Sequence, residues 1–272
     1  MSAQAPWVRA FPGFHGVRLP RVAGAASSAP MISRSGVLSV FRPLPSFLAL
    51  AVVVGLGGCH TVPRSAPPAS VATSEPLNLS DAKAAVLAYV DSGAYARDVA
   101  AVAAEAGSWI EQRAAARRPG ERLAVVFDID ETVLSNLPHM RAEDFGYHPR
   151  AWADWIDSAD APALEPMLEV FRAARARDVA VLFLTGRRDP QERAGTEKNL
   201  RRAGFGDHAA LRLADSRDAA LRTAAEYKAA ARAAWAAQGW TIIATVGDQE
   251  SDLVGGHAER GFKLPNPFYR IP

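Results

Sequence analysis

Beyond residue 120 the chain alternates short apolar runs with Ala- and Arg-rich stretches of helical period, a pattern that restricts the available folds more than any other feature. The runs at 123–129, 179–185 and 241–247, with a weaker one at 210–213, read as strands. Those at 162–177, 190–203 and 219–238 predict helices. Such alternation is the pattern of a parallel sheet with helices on both faces. With 272 residues, 49% hydrophobic and 22% charged, the chain can bury one sizeable core, so one principal α/β domain is expected. Open sheets of this kind bind ligands beyond the carboxyl ends of their strands, and the residues placed there come first.

Ahead of the sheet, Ser80 or Asp81 can cap a helical segment whose apolar residues recur through Val86, Val90, Val99, Val102, Ala106 and Ile110. Gly93 is expected to divide it and Pro119-Gly120 to end it. Residues 60–76 are mostly Pro, Ser, Ala and Thr, the composition of a flexible spacer. Before the spacer, the apolar run at 47–57 is shorter than the about 20 residues that span a bilayer. Arginines precede it and small residues close it, as in a secretory signal. Leu56-Gly57-Gly58-Cys59 resembles the bacterial lipoprotein cleavage box, in which the cysteine is lipidated. The expected plan is a precursor and signal region at 1–58, a tether at 59–78 and a folded domain at 79–272. Met31 opens a segment of conventional signal length and is the expected translation start. Residues 1–58 carry five arginines and no acid, so taking five charges from the net +2 leaves −3 for the rest. That remainder gives no support to nucleic-acid binding.

The strand ends are acidic. The first delivers Asp128-Ile129-Asp130-Glu131-Thr132, the second Thr185-Gly186-Arg187 and the last Gly247-Asp248-Gln249-Glu250-Ser251-Asp252. Carboxylates gathered on one rim raise one another's pKa unless a cation sits among them. Mg²⁺ suits such a rim, as a hard cation that takes oxygen ligands. The six histidines show no zinc spacing, and His139 and His148 are weak candidates for substrate contacts.

These motifs carry a family resemblance. Phe-Asp-Ile-Asp-Glu-Thr-Val-Leu-Ser-Asn at 127–136, Leu-Phe-Leu-Thr-Gly-Arg at 182–187, Tyr227-Lys228, Gly-Asp-Gln-Glu-Ser-Asp-Leu at 247–253 and Phe-Lys-Leu-Pro-Asn-Pro at 262–267 resemble the haloacid dehalogenase (HAD) superfamily, subfamily IIIB, the class C acid phosphatases. The resemblance runs from about Lys83 to the C-terminus and implies a Rossmann-like parallel sheet with a small helical cap insert, placed here at 137–161. It also implies hydrolysis of phosphomonoesters, with nucleoside 5′-monophosphates among the substrates. Asp128 becomes the nucleophile that forms an aspartyl-phosphate. Asp130 becomes the general acid and base, its side chain left unencumbered and its backbone carbonyl on the metal. Asp128 and Asp248 become Mg²⁺ ligands, with Asp252 a ligand or the acceptor of a metal-bound water. Thr185 meets a phosphoryl oxygen, and Lys228 neutralises charge on the phosphate and Asp128.

Other residues keep two readings. Lys228 is one of only four lysines beside 27 arginines, which favours a tight site that a guanidinium does not suit. Arg187 faces the phosphate or caps the following helix. Trp152 and Trp155 stack on an aromatic leaving group or form a packed helix face. Thr132 supports the loop, and Glu131 is solvated or stands behind the site. The expected protein is an extracytoplasmic phosphatase of the bacterial cell envelope, anchored to the membrane by lipid at Cys59. Phosphotransfer to another alcohol and a non-catalytic storage or binding lipoprotein are the competing readings.

Overall fold

The structure, a computed structural model, describes residues 76–215 and 223–271. The signal region, Met31, Cys59 and the tether up to residue 75 lie outside the described residues, as do residues 219–222 of the last predicted helix. Five parallel strands form one sheet in the order β3-β2-β1-β4-β5. They are β1 (Arg122–Phe127), β2 (Ala180–Arg188), β3 (Ala210–Ala214), β4 (Trp240–Gly247) and β5 (Gly261–Lys263). β5 has only three residues, too few for a period-2 signal, and was not anticipated from the sequence.

β1 is central, and from Leu123 to Phe127 each residue is buried. A parallel strand covered on both faces carries a continuous apolar run, and alternation then sends its side chains to two cores. Leu123, Val125 and Phe127 pack in the larger core with residues of α2 (Ala94–Ala115) and α5 (Glu165–Arg175). Ala124 and Val126 pack on the other face with Tyr227, Ala231 and Trp235 of α7 (Ala224–Ala237). Fully burying a Val, Leu or Phe side chain contributes about 1.5–3 kcal/mol, so β1 is tied firmly to both layers.

α1 (Leu79–Asp91) starts at Asn78, whose side chain accepts from Ser80 N at 2.9 Å; the cap lies two or three residues before the predicted Ser80 or Asp81. The break between α1 and α2 falls at Ser92 and Gly93, as expected, and α2 stops at Ala115, short of Pro119. Thr223 starts α7 with a reciprocal capping box, in which Glu226 N donates to Thr223 Oγ1 at 3.3 Å and Thr223 N to Glu226 at 3.1 Å. The segment after β1 holds α3 (Leu137–Ala142) and α4 (Pro149–Ser158), and α4 packs on α6 (Arg193–Arg202).

That packing depends on Gly195, since a Cβ there would lie 2.4 Å from the Ile156 carbonyl oxygen. Gly195→Ala should destabilise the domain by about 1–3 kcal/mol through overpacking, more than the about 1 kcal/mol regained by replacing a helical glycine. Thermal unfolding checks this, and an unchanged or higher Tm would contradict the close packing of α4 on α6.

Candidate active site

The chain runs from β1 outward to β2 and β3 and then returns to lay β4 on the other side of β1. The crevice at such a reversal is where open α/β sheets bind ligands, and the acids lie there. Asp128 follows β1, its N–H donating to Val246 O of β4 at 3.0 Å, and Asp248 follows β4. Asp252 ends a short 3₁₀ turn (Glu250–Asp252). Carboxylate oxygens of Asp128, Asp248 and Asp252 lie within 4.8 Å of one another, and all three residues are buried. Gly247 permits this approach, since a Cβ there would meet the Asp252 carboxyl carbon at 2.3 Å.

Lys228 arrives from α7. Tyr227, Lys228, Ala231 and Arg232 share the buried stripe of that helix, so the capping box that starts it also sets where the ammonium points. Lys228 Nζ donates to Asp128 Oδ1 at 2.6 Å and to Asp252 Oδ1. Burial lowers the Lys228 pKa, but the two aspartates outweigh this and hold the group well above its ordinary value. Burial pushes Asp128 well above the usual carboxylate range; Lys228 opposes the rise while Asp252, Asp248 and Asp130 add to it. One ammonium therefore does not balance this group of acids. An oxygen-only cluster short of positive charge fits a hard divalent cation.

Asp130 differs from the expectation. Its carboxyl is not unencumbered: Arg187 Nη2 donates to Oδ1 at 2.6 Å and Nε to both oxygens at 3.1 Å. Burial opposes ionisation of Asp130, yet Arg187 and Asn136 prevail and hold its pKa below the ordinary value. Arg187 does not cap the following helix, whose N-cap residue is Glu192; it lines the cavity, grips Asp130 and donates through Nη1 to Thr196 at 3.1 Å. At the register shift between Thr185 and Arg188 of β2, Thr185 Oγ1 accepts from Arg187 N at 3.1 Å and lies 3.5 Å from Asp130 Oδ2. Glu131 is not solvated but fully buried, at φ +53°, accepting from Asn136 N at 2.6 Å, Asn136 Nδ2 at 3.1 Å and the Tyr269 hydroxyl at 2.8 Å. Thr132 Oγ1 lies 3.3 Å from both Asp128 and Asp248, joining the two loops.

Asp128, Asp130, Arg187, Lys228 and Asp248 line a cavity of about 460 Å³, together with Phe145, Tyr147, Trp152 and Tyr269. Trp152 and Trp155 part company. Trp152 lines the cavity and donates to Glu192 at 2.8 Å, whereas Trp155 donates to Asn136 Oδ1 at 2.8 Å and stacks with His139 at 5.6 Å. His148 pairs with Glu143 at 2.6 Å. Sequence reasoning gave no role to Asn136, Asn266 or Arg232. Asn266 Nδ2 donates to Asp248 Oδ2 at 2.6 Å. Arg232, with no exposure, donates to the backbone carbonyls of Asp252 at 2.8 Å, Gly256 at 2.9 Å and Val254, holding the loop that carries Asp252. Two signals were available: Asn136 and Asn266 lie in motifs quoted above, and Arg232 follows Lys228 by four residues, the spacing of one helix face.

The family model of the HAD superfamily, subfamily IIIB (acid phosphatase), matches residues 67–272. The chain belongs to that subfamily. Acid phosphatase 1 of Solanum lycopersicum is 39% identical over 150 residues, covering 54% of this chain and 58% of its own. The stem 28 kDa glycoprotein of Glycine max is 39% identical over 151 residues, covering 54% and 59%. The chain thus spans less than three-fifths of the length of these curated relatives. The class C acid phosphatase from Bacillus anthracis shares the fold with a TM-score of 0.59 at 24% identity, over 70% of this chain and 85% of that one.

Burial, with the charge of Asp130 beside it, lifts the Glu131 carboxyl from 4.5 to about 8 despite its three donors. Between those values the native domain keeps a proton that the unfolded chain has lost, so stability falls as pH rises through that window. Asp128 and Asp248, also raised, act with the same sign, while the depressed Asp130 acts only in acid. Thermal unfolding of the metal-free domain should therefore give a higher Tm near the acid end of that range than near pH 8. Glu131→Gln should flatten the slope; the opposite slope would contradict the burial argument.

Proposed function

We propose that this chain is a lipid-anchored, extracytoplasmic acid phosphatase that hydrolyses phosphomonoesters through a phosphoryl group carried on Asp128. The observation that carries the reading is the buried constellation at the switch point, with Lys228 Nζ 2.6 Å from Asp128 Oδ1 and Asp248 and Asp252 beside them. Asp128, Asp248, Asp252 and the Asp130 backbone carbonyl would hold Mg²⁺, a donor set made only of oxygen. Bound there, Mg²⁺ would supply polarisation of the phosphoryl group and charge neutralisation.

The chain's own residues do the rest. An Asp128 oxygen attacks phosphorus, and the bond from phosphorus to the ester oxygen breaks with its electron pair on the leaving group. Asp130 passes a proton to that alkoxide, then takes one from the water that attacks the aspartyl-phosphate, returning Asp128 and releasing inorganic phosphate. Arg187 grips Asp130 and favours its ionised form, so the proton it passes on is more readily bound in acid. Lys228 offsets the charge of the transferring group, Thr185 hydrogen-bonds a phosphoryl oxygen, and Arg187 reaches the substrate chiefly through Asp130. The aromatic walls, Trp152 among them, favour substrates with an aromatic leaving group, such as nucleoside 5′-monophosphates. Trp155, held by Asn136 and His139, is proposed as support for the wall.

Asp128→Asn should lower turnover of p-nitrophenyl phosphate by about 10³-fold or more in a domain that still folds; full activity in that variant would defeat the mechanism. EDTA should abolish the activity of the unaltered enzyme, and added Mg²⁺ should restore it. At the other end of the chain, Cys59→Ala in the precursor should move the protein from the membrane to the soluble fraction of cells, and a variant still in the membrane would refute the lipid anchor.

A further inference from the structure

Asn136 has no part in the chemistry just described, yet it is 1% exposed and all of its side-chain polar atoms are engaged. Trp155 Nε1 donates to its Oδ1 at 2.8 Å, and an indole N–H has no acceptor capacity. The amide oxygen must therefore face Trp155, which turns the NH₂ toward two carboxyls, Asp130 Oδ1 at 2.8 Å and Glu131 Oε2 at 3.1 Å. Glu131 grips Asn136 again at its backbone N, 2.6 Å away, and is itself gripped by the Tyr269 hydroxyl at 2.8 Å.

The two oxygens of Asp130 end up unequal. Oδ1 accepts from Asn136 Nδ2, Arg187 Nη2 and Arg187 Nε, at 2.8, 2.6 and 3.1 Å. Oδ2 accepts from Arg187 Nε at 3.1 Å and from Thr185 only at 3.5 Å. An oxygen loaded with donors is a poor place for a proton. We propose that Asn136, oriented by Trp155 and Glu131, is a positioning residue that saturates Oδ1 of Asp130 and so assigns proton transfer with the leaving group to Oδ2. The inference rests on the hydrolase reading, in which Asp130 protonates the ester oxygen.

A positioning role in proton transfer predicts a dependence on the leaving group that a general packing role does not. p-Nitrophenolate departs with little help from an acid, whereas the alkoxide of glycerol 2-phosphate needs a proton. The ratio kcat/KM covers the steps up to phosphorylation of Asp128 and is the quantity to compare. Asn136→Ala should lower kcat/KM for glycerol 2-phosphate about tenfold more than for p-nitrophenyl phosphate, a fraction of the 10²–10⁴ that a general acid supplies. Trp155→Phe keeps the ring and removes only the orienting N–H; it should show the same bias, about threefold, and decides the matter if Asn136→Ala fails to fold. Equal losses on the two substrates would overturn the proposal, as would a larger loss on the aromatic ester, the mark of Trp155 stacking on substrate. An unaltered enzyme inactive on both esters would overturn the hydrolase reading and this proposal with it.

Discussion

Four buried or half-buried aspartates at the ends of two adjacent parallel strands cannot all be ionised without positive charge among them. The rest of the domain is arranged around that constraint. Lys228 answers Asp128 and Asp252, and Arg187 answers Asp130. Each cation is itself buried, on α7 and at the end of β2, so neither is replaced by solvent without exposing the acids it serves. Removing one partner of such a pair leaves an unpaired buried charge, which costs far more than the pair contributes. The acids fall into two electrostatic classes: burial and the neighbouring acids push Asp128 and Asp248 up despite Lys228, whereas Arg187 helps pull Asp130 down. Two acids of one D-x-D motif thereby acquire different proton affinities while two residues apart.

Around these pairs lies a scaffold of neutral donors. Asn266 and Gln249 both donate to Asp248 Oδ2, and Thr132 joins Asp128 to Asp248. Arg232 holds the carbonyls of Asp252, Val254 and Gly256, every second residue of that loop, which leaves its backbone few ways to relax. The last residues of the described chain act as a strap: Asn266 reaches one acid loop, Tyr269 the other, and the Ile271 N–H donates to Gln249 Oε1 at 3.0 Å. Carboxylates held from behind in this way keep a fixed orientation.

Much of this is legible in the sequence. Long apolar runs such as 123–127 signal a parallel strand buried on both faces because that burial writes itself into every residue. The acids, Thr185 and Lys228 stood out because parallel strands deliver their terminal residues to one edge whatever the loops between them do. Glu131 and Arg187 were harder. A glutamate after D-x-D looks solvated by residue type, and only the left-handed turn at φ +53° swings it inward toward Tyr269, 138 residues away. Arg187 had no visible partner, since its carboxylate lies 57 residues earlier on a neighbouring strand end.

The sequence by itself therefore determined the sheet, the strand ends that carry chemistry and the family, because periodicity and short motifs are local properties of the chain. Tertiary structure alone decided which cation serves which acid, that Glu131 is buried, that Trp152 faces the cavity while Trp155 serves Asn136, and that the C-terminal residues strap the site. Those choices depend on distances between residues far apart in the chain, and charge, hydrogen bonding and burial act through space.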